Sequence, residues 1–345
     1  MKKKIIISIT AILLIAIVLA IFSALLVPKY VTNPEGRLTG EYYSQSSGND
    51  VIFLGDCEVY ETFVPAILWE KYGISSYVRG SAQQLIWQSY YILEETLKYE
   101  TPKAVVFNVY SLKYGTPQSE AFNRMTFDTM KWSGTKFDGI FASMTEGESI
   151  VDYIFPLLRY HSRISELEAN DFKYCFKKPE KVSDSGYLMQ TGIVPRPEQT
   201  EEPRELRDYE FSQTAIDYLD KIKELCIANG VELILVKAPT NSWNYYWYDE
   251  YEAQVEKYAS NNDLKYYNLI ESEDAIGIDW NVDTYDEGFH LNVYGAEKTT
   301  EYFGKILFEE CGIPSRKDDE VLAKKWDERV QKYKDRKEKM EAEEK

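Results

Sequence analysis

The sequence predicts an α/β fold in which a parallel sheet carries helices on both faces, behind one membrane-crossing N-terminal helix. Three observations predict it. Short, unbroken apolar runs such as Val51-Ile52-Phe53-Leu54 and Ala104-Val105-Val106-Phe107 suit strands covered on both sides. Longer segments with helical apolar spacing separate those runs, the rhythm of a parallel sheet with crossover helices. The chain also opens with an apolar stretch far longer than any strand.

That stretch comes first. Lys2, Lys3 and Lys4 precede residues 5–27, which are apolar except for Ser8, Thr10 and Ser23. As a helix, these residues would reach about 34 Å, enough to cross a bilayer. A cleaved signal has an apolar core of only ~7–15 residues and a small-residue cleavage site, which is missing before Pro28. The expectation is an uncleaved anchor, residues 1–27, with its basic end in the cytoplasm and the rest outside. Residues 28–50, rich in Gly, Ser, Asn and Tyr, read as a stalk.

The alternating part follows. Strands are expected at residues 51–54, 75–79, 104–107, 231–236 and 264–269. Helices are expected at 64–72, 82–99, 214–229, 250–260 and 296–310. Between about 111 and 208 the rhythm breaks into polar, short-helical sequence, ending in the proline-rich residues 195–203. This reads as an insertion within one domain, residues 51–313. Residues 314–345 read as a charged helix: from Ser315 on, 11 basic and 10 acidic residues surround a stripe of Leu322, Trp326, Val330 and Tyr333. Such a stripe docks a solvent-exposed helix or offers a partner-binding face.

Charge bounds the chemistry. Lys and Arg total 40 against 57 Asp and Glu, a net of −17. A surface this acidic repels phosphate backbones, so nucleic acid is excluded as a partner. Neutral sugars or amines fit the field better. Four scattered cysteines make no disulfide framework, no CxxC pair suggests zinc, and two histidines are too few for a histidine-rich metal site.

In a parallel sheet, ligands bind beyond the carboxyl ends of the strands. Gly55-Asp56-Cys57, Gly80, Asn108 and Lys237 fall at or just past such ends. Cys57 is then either a nucleophile at a strand-to-helix turn or a small packing residue. His290, with Asp286 four and Glu287 three residues before it, is a general base oriented by a carboxylate, or a structural histidine. His161, between Arg159 and Arg163, reads as a brace of the insertion. A helix N-terminus and an imidazole would lower the Cys57 thiol pKa against the opposition of Asp56 and Glu58. On that reasoning Cys57 is the fastest-alkylating of the four cysteines. Trp243, Tyr245, Tyr246, Trp247 and Tyr248 form either loop packing or a sugar-stacking platform.

Phe53-Leu54-Gly55-Asp56-Cys57 resembles the Gly-Asp-Ser block of the SGNH/GDSL hydrolases. Gly80 resembles their second, oxyanion-donating glycine, Asn108 their asparagine block, and Asp286 or Glu287 with His290 their terminal Asp-x-x-His block. The order is theirs, over about residues 51–115 and 210–310. The anchor and insertion are most similar to the surface-exposed branch. That branch includes the D-alanyl-lipoteichoic acid biosynthesis protein D family and the SGNH domains of exopolysaccharide O-acetyltransferases. The resemblance implies a three-layer, flavodoxin-like α/β fold and ester hydrolysis or acyl transfer without a cofactor. The implied substrate is an acylated glycan or teichoic-acid-type polymer of the cell envelope, with room for a membrane acyl-donor protein as partner. Cys57, His290 and Asp286 (or Glu287) would form the triad, and Gly80 and Asn108 the oxyanion donors. Cys57 stands where the family has serine, and the acid lies four residues before the histidine. These departures admit a second expectation: a catalytically silent, glycan-binding or scaffold module.

Overall fold

The computed structural model describes residues 2–45, 48–197, 209–240 and 248–344. Five strands form one all-parallel sheet in the order β2-β1-β3-β4-β5: β1 (Val51–Gly55), β2 (Ser76–Gly80), β3 (Ala104–Asn108), β4 (Glu232–Lys237) and β5 (Lys265–Asn268). This is the flavodoxin-type order. Neighbouring registers pair Gly55 with Gly80, Asn108 with Val236 and Lys237 with Asn268, so these carboxyl ends share one edge.

Fifteen helices lie among the described residues, several of them single turns. They are α1 (Lys2–Leu26), α2 (Leu38–Glu41), α3 (Cys57–Tyr60), α4 (Pro65–Tyr72), α5 (Ile86–Leu97), α6 (Glu120–Phe127), α7 (Gly134–Ser143) and α8 (Ile150–Ile154). The rest are α9 (Pro156–Tyr160), α10 (Ala169–Lys173), α11 (Gln213–Ala228), α12 (Tyr248–Asn261), α13 (Glu273–Ile276), α14 (Val293–Glu309) and α15 (Glu320–Glu343).

Alternate strand residues face opposite sides. Ile52, Leu54, Val105, Phe107, Leu233 and Leu235 face the layer of α5, α11 and α12. Val51, Phe53, Val106, Ile234 and Val236 face α4 and α14, through Leu68, Phe303 and Leu307. Both faces are therefore dry, which is why the strands read as continuous apolar runs. The β2 edge is covered by residues 183–189, where the Val78 amide donates to the Ser185 carbonyl at 2.9 Å. Gly186, at φ 89°, is obligatory there: a Cβ would stand 2.0 Å from the Val78 carbonyl oxygen.

Two flanking regions differ from one another in how well their character shows in sequence. Residues 34–45 are not a loose stalk, as their polar composition suggested; they coil into short helices that pack on the domain. Leu38 and Tyr42 are each 2% exposed. The Glu41 carboxylate accepts from the Val182 amide (2.9 Å), the Ser183 amide (3.1 Å) and the Ser183 hydroxyl (2.7 Å). The buried Arg79 guanidinium lies 3.9 Å over the Tyr42 ring. Four or five anchoring side chains suffice to fix a segment whose remaining residues are polar. The C-terminal α15 docks through Trp326, Val330 and Tyr333, with Trp326 stacked on Trp69 at 5.6 Å.

Among the described residues, α1 alone is long and apolar enough to cross a membrane, with a mean hydropathy of 3.2. It touches α9 and α10, within the insertion; its covered residues are Ser23 to Leu26, and Arg163 donates to the Leu26 carbonyl.

Candidate active site

Strand β1 delivers Cys57. A Cβ on Gly55 would sit 2.5 Å from Val59 Cγ2 and 3.1 Å from Asn108 Cβ, so only glycine lets the chain turn this tightly. Asp56, in extended backbone, caps α3 by accepting the Glu58 amide at 3.2 Å, and Cys57 is the first helical residue. Gly80, beside Gly55 in the register, is also pressed for space: a Cβ would meet Tyr60 Cδ1 at 2.9 Å and the Gly55 carbonyl at 3.2 Å.

The loop before α14 delivers His290. The Thr284 hydroxyl accepts the Gly288 amide at 2.9 Å, and Glu287 (φ 65°) with Gly288 (φ 91°) turns the chain back. The turn aims Asp286 inward and leaves Glu287 exposed. One Asp286 oxygen accepts the His290 amide at 2.8 Å, and the other meets His290 Nδ1 at 2.6 Å. Asp286, not Glu287, is thus the partner of the ring, because the positive-φ pair turns Glu287 outward. With Nδ1 engaged by Asp286, Nε2 is left for a further partner, and the Cys57 thiol lies close enough that it and the imidazole shift one another's ionisation. Cys57, His290 and Asp286 therefore form one electrostatically coupled group, with a hydrogen bond between the last two. It is recessed without being sealed: the His290 side chain is 22% exposed and Cys57 is intermediate.

A second carboxylate, which sequence reasoning missed, stands beside the same ring. Glu61 lies 3.8 Å from His290 Nδ1 and accepts the Tyr285 hydroxyl through both oxygens at 3.0 Å. Its place four residues after Cys57 was the available signal, since that spacing projects both from one face of a helical turn. Burial pushes the Glu61 carboxyl up to about 7, while His290 and the Tyr285 and Gln190 hydrogen bonds pull it down.

Asn108 is directed elsewhere than expected. Its amide nitrogen donates to Glu58 at 2.9 Å and approaches Asp56 at 3.5 Å, while its oxygen accepts the Ala238 amide at 3.1 Å. The strand-end position is right, but in this arrangement the amide serves buried acids instead of an oxyanion. Glu58 is also ion-paired with Lys237 at 2.7 Å, both side chains almost fully buried. Lys113, over the Tyr110 ring at 3.3 Å, completes this cluster. Burial lowers its ammonium to about 8 against the pull of Glu58 and Asp56.

The electrostatics overturn the expected thiol. Burial first, and the Asp56 charge second, raise Cys57 from 9.0 to about 11. His290 pulls down without prevailing. The helix end contributes little because α3 is a single turn of four residues. Asp56 itself is raised to about 7 by burial and by Glu58. For His290, burial works to lower the pKa. The Cys57 thiolate, the Asp286 hydrogen bond and Glu61 outweigh it and raise the imidazole well above 6.5. The Cys57 contribution exists only once the thiol is ionised; Asp286 and Glu61 act at every pH where they are charged.

His161 is exposed, with Nδ1 2.7 Å from the Leu158 carbonyl, and takes no part in the site. Cys226 is buried and burial raises it to about 12. Trp243, Tyr245, Tyr246 and Trp247, like the end of the proline-rich loop at 198–203, lie outside the described residues. Tyr248 opens α12. No cluster of three or more His, Cys, Asp or Glu among the described residues could hold a metal ion. Compared with protein-family models and with curated protein sequences, the chain matches none.

Proposed function

We propose that this chain is a membrane-anchored, extracytoplasmic acyl-transfer enzyme of SGNH/GDSL type. It would act on acyl esters of a cell-envelope polysaccharide or teichoic-acid-type polymer. The observation that carries the reading is the Asp286–His290 hydrogen bond at 2.6 Å beside the Cys57 thiol, at the carboxyl edge of a parallel sheet. With the thiol protonated near neutral pH, the nucleophile forms as it attacks. Sγ bonds to the ester carbonyl while its proton moves to His290 Nε2, and Asp286 holds the resulting imidazolium. Collapse of the tetrahedral adduct breaks the ester bond, and the departing alcohol takes the proton from His290. The Cys57 thioester then passes its acyl group to water or to an acceptor hydroxyl, whose proton His290 removes, regenerating the thiol. The Cys57 and Gly80 amides would hold the oxyanion, as the resemblance implies. A membrane protein could supply the acyl group.

The rival reading, a silent glycan-binding or scaffold module, is favoured by the raised thiol and by the commitment of the Asn108 amide to Glu58. One experiment separates the two. The full-length protein in detergent is offered a panel of acyl esters and acetylated glycans, beside Cys57→Ala, His290→Ala and His161→Ala. Turnover abolished by the first two substitutions and kept by the third supports the enzyme. Glycan binding unaltered by all three, without any turnover or acyl-thioester, supports the module.

A further inference from the structure

We propose that residues 150–178 of the insertion form a membrane-docking face that rests in the headgroup layer of the bilayer, beside the exit of α1. This rests on α1 crossing the membrane. Every residue of α1 up to Phe22 is exposed, and Ser23 to Leu26 are increasingly covered by the folded domain. From Ile5 to Phe22 the helix rises about 27 Å, close to the ~30 Å of a bilayer's hydrocarbon core. The last turn of α1, and whatever touches it, is thereby set at the outer interface. What touches α1 is α9, α10 and the single 3-10 turn between them (His161–Ser165), and the Arg163 guanidinium donates to the Leu26 carbonyl.

These elements have the wrong surface for water. Phe155, Leu158, Ile164 and Phe172 are each more than half exposed, and Phe176 is 84% exposed. A soluble domain rarely leaves that many large apolar side chains open in so short a segment. Apolar side chains here would enter the acyl boundary, as those of interfacial helices do. Charge agrees. The exterior part of the chain carries a net of −20, yet residues 151–178 hold five basic residues (Arg159, Arg163, Lys173, Lys177, Lys178) against four acidic ones. One of those acids, Asp171, is paired with Arg163 at 3.2 Å. Lys177 and Lys178 are exposed beside Phe176, where they can meet anionic phosphates while the ring goes deeper. The face is tied to α6 and the residue after it, where Arg124 also donates to the Asp152 carbonyl at 3.3 Å. The Tyr30 and Tyr160 hydroxyls both donate to Asp128 at 2.9 Å, and Arg124 pairs with the same carboxylate at 3.3 Å. A face tied in this way fixes the height of the domain above the bilayer, which a single tether would not do.

The test places p-benzoylphenylalanine singly at Phe172, Phe176, Leu13 and Phe308 of the full-length protein. Each protein is reconstituted in vesicles of phosphatidylcholine and phosphatidylglycerol and irradiated. Mass spectrometry should find lipid adducts at positions 172 and 176 at yields comparable to Leu13 within α1, and none at Phe308 on α14. Adducts at Leu13 with none at 172 and 176 would overturn the docking face and leave the anchor standing. Failure at Leu13 as well would remove the anchor and the proposal together. In native membranes, protein adducts instead of lipid adducts at 172 and 176 would identify a protein as the occupant and overturn the bilayer assignment.

Discussion

Replacing Asp56 by Asn should make the Cys57 thiol more reactive, and only above the pH at which Asp56 ionises. Burial and the Asp56 charge hold the thiol at about 11, so near pH 8 roughly one molecule in a thousand carries thiolate, about a hundredfold less than for a thiol of pKa 9. A unit charge about 6 Å away, at an effective dielectric near 20, is worth ~2–3 kcal/mol, or ~1–2 pKa units after screening. Asparagine keeps the cap on α3 and removes the charge. The thiolate fraction then rises about tenfold to a hundredfold. Intrinsic nucleophilicity falls with pKa, with a Brønsted coefficient of ~0.4–0.5, so the net gain in alkylation rate is about threefold to tenfold. Because Asp56 is itself raised to about 7, its carboxyl is neutral at pH 5.5 and the substitution should change nothing there. The assay is iodoacetamide labelling of the folded protein between pH 5.5 and 10, read at the Cys57 peptide by mass spectrometry. Wild-type labelling should still be climbing at pH 10, and His290→Ala should slow it at pH 8. A wild-type rate that levels off by pH 8, or Asp56→Asn with no effect at pH 8, would refute the reasoning.

Glu61→Gln should flatten the pH dependence of stability. The native carboxyl holds its proton up to about 7 while the unfolded one releases it near 4.5, so between those pH values the unfolded state binds fewer protons. Stability must then fall as pH rises through that window, by at most about 3 kcal/mol, and denaturant melts at pH 5 and 8 should show the loss in wild type and not in the variant. Lys237→Met should cost about 3 kcal/mol by removing the buried ion pair to Glu58 at 2.7 Å, with Lys113 and Asn108 offsetting part of the loss; a cost below 1 kcal/mol in urea unfolding would contradict the assigned pair. Deleting residues 1–27 should leave a folded, soluble protein, whereas deleting 1–45 should lower the melting temperature by well over 10 °C, since it removes Leu38, Tyr42 and the Glu41 contacts from the core. Turnover, if His290 is the base, should fall as pH drops through its raised pKa and recover on the alkaline side.

The sheet was legible because burial on both faces writes itself into sequence. Residues such as Val105, Val106 and Phe107 cannot be polar on either side, so a run of four identifies a central strand and the glycines and Asn108 mark where it ends. The edge strand β5 was legible mainly by rhythm, since its residues are only partly buried. The residues that shape the site were half visible. Cys57 and His290 stand out because they follow a strand-end turn and an acid-rich loop. Glu61, Lys113 and Tyr285 do not, because their importance comes from the neighbours that folding brings within 4 Å, and a glutamate in a polar helix carries no mark of being buried. The packed residues 34–45 escaped for a related reason: a segment pinned by Leu38, Glu41 and Tyr42 keeps a linker's average composition.

The thiol is where composition and geometry diverge most, and the divergence has a physical cause that bears on mechanism. Sequence places a cysteine at a helix start with a histidine in prospect, the pattern of an activated thiolate. Folding adds two facts that the pattern omits: the helix is one turn long, and Asp56, Glu58 and Glu61, all within four residues of Cys57, are all buried. Three carboxyl groups in a desolvated site cannot all be charged beside a thiolate, and the raised Asp56 and Glu61 carboxyls are the protein's response. That surplus of acid disfavours a resting thiolate–imidazolium pair, so the thiol keeps its proton at rest and the neutral fraction of His290 is the form that can take it. A cysteine in this setting behaves as a serine would, needing a base at the moment of attack. The same acids that raise the thiol also hold the imidazolium once it forms, which stabilises the charge-separated state of the attack more than the ground state. If the site is catalytic, Cys57→Ser should therefore retain measurable turnover, about as the loss of intrinsic nucleophilicity alone dictates. In an enzyme that relied on a preformed thiolate the same substitution would abolish turnover. A Cys57→Ser protein without any detectable turnover, beside an active wild type, would show that the thiolate and not the general base does the chemistry.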